Sequence, residues 1–172
     1  GRATARRLAE AGARLVIVAR DPAKLEETRA ELAALGNEPA VYSCDLADAD
    51  ACGALARQVL EAHGPVDVLI NNAGHSIRRS LAISYERFGD YERLMRINYL
   101  APVRLTLGLL PAMAAQRRGQ VINVSSIGVL ASYQWVWYRS MVSVCRRRRL
   151  SSTAAMIWPR LRAPPLGPAP IT

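Results

Sequence analysis

Lysine is almost missing from this sequence: Lys24 is the only one among 172 residues, and arginine carries the rest of the positive charge. Any chemistry that needs a lysine cation downstream of that position is excluded. Cysteine is scarce too, with Cys44, Cys52 and Cys145 at no metal-ligand spacing and in no even-numbered framework. That argues against a zinc module or a disulfide scaffold, and leads us to expect no metal and a reducing cytoplasm. No apolar run approaches the roughly 20 residues of a membrane-spanning helix, so no membrane span is expected. The Arg-rich stretch behind Gly1 and Arg2 has no apolar core of the kind a secretory signal carries, and no such signal is expected. Acid is absent from residues 132–172, which carry seven arginines, whereas residues 1–131 hold 16 Lys+Arg against 14 Asp+Glu. The net charge of +9 therefore sits mostly in one segment. It marks a boundary more than it characterises the whole chain.

What is present is an ordinary globular balance, 51% hydrophobic and 22% charged, in a length that suits one buried core. Ala5, Leu8, Ala9 and Gly12 recur at helical spacing over Arg2–Ala11, a small-residue face suited to lying on a sheet, and Gly12 stops the helix. Leu15–Ala19 is a continuous apolar run, as a strand covered on both faces should be. Asp21 can cap a second helix with Pro22 at its first position, and Gly36 ends it. A short strand is predicted at Ala40–Ser43, a helix over about Asp48–His63 and a strand at Val66–Ile70. A long helix over about Asp90–Gln116 and a strand at Gln120–Val124 follow. Strands separated by helices imply crossovers and a parallel sheet. The expected fold is α/β, a Rossmann-type doubly wound parallel sheet, over residues 1–131.

The carboxyl edge of such a sheet is where ligands bind, and the residues placed there are informative. Asp67-Val68-Leu69-Ile70-Asn71-Asn72-Ala73-Gly74 ends a buried strand in two amides, a small residue and a glycine, though Asn and Gly are also ordinary turn formers. Arg20 stands just past the Leu15–Ala19 strand, either as a surface arginine or as a partner for phosphate. Asn98 has Leu94, Ala101 and Leu105 at i−4, i+3 and i+7, so an amide occupies the apolar face of its helix. Pro102 deprives the Asn98 carbonyl of its usual N–H partner, which predicts a bend there. Ser125 and Ser126 follow the Gln120–Val124 strand, as a plain turn or as hydroxyls facing a ligand.

Taken together, these motifs resemble the short-chain dehydrogenase/reductase family, over residues 1 to about 131. The resemblance implies a nicotinamide cofactor and a small-molecule carbonyl or alcohol substrate, interconverted by hydride transfer. Gly1 matches the last glycine of the family's phosphate-binding loop, Asp45 and Leu46 the pair flanking the adenine, and Asn72, Ala73 and Gly74 the Asn-Ala-Gly motif at the cofactor's edge. Asn98 and Ser126 match two of the four catalytic positions, with the Asn holding a water at the helix bend. Arg20 favours NADP over NAD, because a guanidinium pairs with a 2′-phosphate where a carboxylate would bind ribose hydroxyls. The run from Asn72 to Ser80 further resembles reductase domains of some bacterial fatty acyl-CoA reductases, which implies a fatty acyl-derived substrate. Members of the family are often homo-oligomeric, and the long helix resembles half of their dimer face.

Against that pattern, the family's proton donor is not found. It is a tyrosine whose pKa of about 10 must be lowered by a lysine four residues on. Tyr138 lies twelve residues after Ser126 but is followed at that spacing by Val142, and Tyr133 by Trp137. By the resemblance, the first strand and the strands after Ser126 are also missing. We therefore expect an inactive product, poorly soluble or partly unfolded, with two exposed sheet edges. Residues 132–172 hold all three tryptophans, the Arg146–Arg149 run and five of the ten prolines, with no sustained period. They are expected to lie outside the fold, through a departure from the reading frame near Ala131–Tyr133. The rival reading makes them a basic arm for single-stranded nucleic acid.

Overall fold

The computed structural model describes residues 1–77, 83–126 and 154–158. Among the described residues, five α-helices and five strands follow in order. The first seven elements are α1 (Arg2–Glu10), β1 (Arg14–Ala19), α2 (Pro22–Ala33), β2 (Ala40–Ser43), α3 (Ala49–His63), β3 (Val68–Asn71) and α4 (Phe88–Met95). A π-helical turn, Arg96–Leu100, then leads into α5 (Ala101–Ala115), β4 (Gln120–Asn123) and β5 (Ala154–Trp158). Among the described residues no helix is long and apolar enough to cross a membrane.

Local chemistry sets most of these boundaries. The Asp21 carboxylate accepts from the backbone N–H groups of Ala23 and Lys24 at 3.0 and 3.2 Å, and Asp48 does the same for Asp50 and Ala51. Each cap satisfies donors that a helix start leaves over, typically worth about 1 kcal/mol. Gly12 and Gly36 take φ of +77° and +78° just past α1 and α2, a conformation that a side chain would strain.

Successive residues of β1 alternate between two cores. Val16 and Val18 pack with Cys52, Leu55 and Val59 of α3 and with Leu105 and Leu109 of α5. Leu15 and Ile17 pack with Ala5 and Ala9 of α1 and with Leu25 and Leu32 of α2. In β3, Leu69 joins the first core and Ile70 the second. The sheet is thus covered on both faces, as the uninterrupted apolar run of β1 requires. On one face α5 lies against α3, where a Cβ on Gly108 would come within 2.6 Å of the Ala56 Cβ.

The strand order is β2-β1-β5-β3-β4. β1 pairs with β2, and β3 with β4, in parallel. Between these halves β5 runs antiparallel to both neighbours, with Arg14 to Val18 facing Trp158 to Ala154 on one side and Val68 to Ile70 facing Ile157 to Ala155 on the other. The sequence reading set residues 132–172 outside the fold and left two open edges at the centre of the sheet. In the structure Ala154–Trp158 joins those edges; this short run carries no charge, so nothing in its composition opposes a central position. Tyr133, Tyr138 and Arg146–Arg149 lie outside the described residues.

Candidate functional site

The carboxyl ends of β1, β2, β3 and β4 share one edge of the sheet. At the β1–β2 end, Cys44 N–H donates to the Ala19 carbonyl at 3.0 Å and Ser43 Oγ to the Arg20 carbonyl at 3.2 Å. Arg20 is exposed and makes no ion pair among the described residues. Its neighbour Asp21 is engaged by the start of α2 and lies 3.7 Å from Lys24. Arg20 is therefore the charged group that β1 delivers to this edge.

After β2, Asp45 folds its carboxylate back onto the N–H of Ala47 at 3.0 Å, and its carbonyl accepts from Asp48. That turn buries Leu46 while leaving Asp45 exposed. Cys52 Sγ reaches the Leu46 carbonyl at 3.3 Å from below. Burial, reinforced by Cys44 and Asp48, raises the Cys52 thiol to about 11, and burial with Asp45 and Asp48 raises Cys44 as well. Both stay protonated near neutral pH and are poor nucleophiles.

At the β3–β4 end, Asn71 Nδ2 donates to Asn123 Oδ1 at 2.9 Å, and Val124 N–H to the Asn71 carbonyl at 2.9 Å. Asn72 is buried at 7% exposure, Ala73 is half-buried, and the chain emerges at Gly74 and His75. There Asn98 meets it. Asn98 Oδ1 accepts from His75 N–H and Asn98 Nδ2 donates to the His75 carbonyl, both at 2.8 Å. A Cβ on Gly74 would stand 3.1 Å from Asn98 Oδ1, so the missing side chain is what lets the amide close on the loop.

The main chain at Asn98 has an unusual form with a clear cause. Pro102 has no N–H to offer four residues back, and the Ala101 N–H bonds the carbonyl of Arg96 instead, a five-residue spacing. Where the sequence predicts a bend, the helix departs from α form as a π-turn. Gly1 is buried at the head of α1, which has no side-chain cap. Arg2 beside it is held by Glu27 at 2.8 Å and Glu31 at 2.5 Å, clamping α1 to α2. Ser126 is exposed three residues beyond β4.

The structure thus gathers Asn72, Ala73, Gly74 and Asn98 into one bonded loop, with Arg20, Asp45, Leu46, Gly1 and Ser126 placed along the same edge by their strands and helices. Two participants were not singled out from the sequence: His75, which acts through its backbone, and Asn123, the partner of Asn71. The pair had a signal, since parallel strands in matching register put the last residues of β3 and β4 side by side. Among the described residues no group of three or more His, Cys, Asp or Glu side chains could hold a metal ion.

A family profile described as short chain dehydrogenase matches residues 1–140. A protein of Acinetobacter baylyi named fatty acyl-CoA reductase is 47% identical over 132 residues, covering 77% of this chain and 45% of the relative. The chain therefore spans under half the length of that relative. Among solved structures, a metagenomic short-chain oxidoreductase in complex with NADP is 38% identical with a TM-score of 0.73, over 78% of this chain and 61% of the other. An NAD+-bound xylitol dehydrogenase is 27% identical with a TM-score of 0.71, over 77% and 51%.

Proposed function

The chain belongs to the short-chain dehydrogenase family, and on that footing we propose that it is the cofactor-binding part of an NADP-dependent oxidoreductase of fatty acyl-type carbonyl or alcohol substrates, itself without turnover. The observation that carries this reading is the Asn98–His75 bracket closed over Gly74 at the carboxyl edge. It holds the Asn-Ala-Gly loop rigid where a cofactor would lie.

The residues along the edge suit a dinucleotide. The head of α1 at Gly1 offers backbone donors and the positive end of a helix to the pyrophosphate. Arg20, without a carboxylate partner among the described residues, pairs with a 2′-phosphate. Asp45 and Leu46 flank the adenine, and Asn72, Ala73 and Gly74 leave room for ribose beside β3. When bound, the cofactor supplies or accepts the hydride. Ser126 donates its hydroxyl to the substrate oxygen and stabilises charge developing there. Asn98 fixes the loop through its side chain and presents its main chain at the π-turn for a water.

The remaining requirement is a proton donor, and the sequence has no tyrosine with a lysine four residues beyond it. Binding without reduction follows. The test is a fluorescence titration of the purified chain with NADPH and NADH, together with turnover on a panel of short and long aldehydes and ketones. NADPH should bind more tightly than NADH, with no turnover above the blank. Turnover would overturn the inactive reading; no binding of either nucleotide would overturn the cofactor reading.

A further inference from the structure

We propose that Ile83, Tyr85 and Phe88 form the landing surface for the apolar tail of the substrate, an inference that rests on the acyl reading above. Three large apolar side chains within six residues stand 64%, 77% and 71% exposed, while Ser84 between them is buried at 8%. The backbone of this turn is set, with Arg87 N–H bonded to the Ser84 carbonyl and Asp90 N–H to the Arg87 carbonyl. Ser84 is turned in and its apolar neighbours are turned out. Exposed apolar surface concentrated in one place commonly marks a binding region.

Position and charge indicate the occupant. Phe88 opens α4, which runs through the π-turn to Asn98. A separation of ten positions puts Phe88 about 15 Å from Asn98 along the helix, beyond the carboxyl edge. A substrate whose carbonyl lies near Ser126 and Asn98 would need a long tail to reach that distance. Arg87 Nε pairs with Asp90 at 2.8 Å, which leaves the exposed Glu86 as the remaining charge of this turn. The turn therefore offers apolar contact area with one acid at its rim, which suits an uncharged alkyl chain better than an acidic peptide.

The test is calorimetric binding of butyryl-, octanoyl- and palmitoyl-CoA to the full chain, with NADPH binding measured on the same preparations. Affinity should climb between octanoyl and palmitoyl by up to about fourfold per methylene that becomes buried. Tyr85→Ser with Phe88→Ser should erase the advantage of the long chain, leave butyryl-CoA and NADPH unchanged, and Phe88→Leu should restore most of it. Equal affinity for all three thioesters, or a long-chain advantage that survives the double substitution, would overturn the proposal. If the double variant fails to fold, the chain-length series on the unaltered protein decides. Loss of NADPH binding by the unaltered chain would instead count against the cofactor reading, whatever the thioesters do.

Discussion

Asn98 and His75, 23 residues apart, are joined by two antiparallel hydrogen bonds of 2.8 Å that use both ends of one side-chain amide. The amide behaves as a one-residue strand: it satisfies the N–H and the carbonyl of His75 together. It is half-buried, on the same helical face as the buried Leu94, Ala101 and Leu105. The bracket ties the end of the β3 loop to the π-turn, so loop and helix must move together.

Asn98→Ala removes both bonds and leaves the His75 backbone to water. A net loss of about 1–2 kcal/mol is expected, since each such bond contributes about 1 kcal/mol. Asn98→Asp keeps the acceptor for His75 N–H but sets a carboxylate against the His75 carbonyl, so it should be no better than alanine. Urea denaturation midpoints measure the first effect and NADPH titration the second. An Asn98→Ala protein with unchanged midpoint and unchanged affinity would show that the bracket holds nothing in place.

Gly74→Ala places a methyl 3.1 Å from Asn98 Oδ1. That is tight enough that the amide must yield by a few tenths of an ångström, lengthening its bonds to His75. The substitution should be destabilising in the native background and close to neutral once Asn98 is alanine, because the clash partner is gone. A double-mutant cycle reads this as a coupling of at least about 0.5 kcal/mol. Additive effects would place the cost of the methyl elsewhere.

How much of this was legible in the sequence follows from the range of each interaction. Asp21 and Asp48 cap helices two and three residues away, and Gly12 and Gly36 stop them, so their signals are local and were read. The irregularity at Asn98 was equally local, because Pro102 removes a specific donor. The partner of the Asn98 side chain was not legible, since it depends on where a loop after β3 travels in space. Nor was β5. Five uncharged residues between arginines and prolines carry no period, and antiparallel polarity inside a parallel sheet is set by the two edges waiting for it.

Arg20→Ala should weaken NADPH binding about tenfold or more while leaving NADH within twofold, because a charge-assisted pair to phosphate is lost and no ribose contact is touched. Arg20→Glu should reverse the preference outright. Titrations at low and high salt add a check, since the NADPH advantage of the unaltered chain should shrink as ionic strength rises. Equal losses for both nucleotides would assign Arg20 to the fold instead.

At the opposite edge of the sheet, His63 Nε2 lies 2.8 Å from the Tyr42 hydroxyl. Burial, helped by the Arg14 guanidinium, holds its imidazole below the ordinary value of 6.5. The unfolded chain then binds more protons than the native one between the depressed value and 6.5. Stability from this group is therefore complete above pH 6.5 and declines as pH falls toward the native pKa. His63→Gln should flatten the fall of the unfolding midpoint between pH 7 and 5.5, and Arg14→Ala should reduce it. A histidine titration by NMR at or above 6.5 in the native protein would remove the basis for this.

Within the sheet of the described residues, β2–β1 and β3–β4 are joined by backbone pairing through β5, which pairs with Arg14 to Val18 on one side and with Val68 to Ile70 on the other. A central strand uses its N–H groups on both neighbours, so a proline there removes a ladder bond and crowds the strand. Met156→Pro should therefore break the sheet at its middle, although it lies far in sequence from every other element. Hydrogen exchange on the unaltered chain should find Val16–Val18 and Leu69–Ile70 protected together, and the substitution should release both sets at once. The same change at Pro159 neighbours such as Arg160, beyond the strand, should leave that protection in place. If the amides of β1 and β3 exchange freely in the unaltered protein, or keep their protection when residue 156 is proline, the two half-sheets are held by something other than β5.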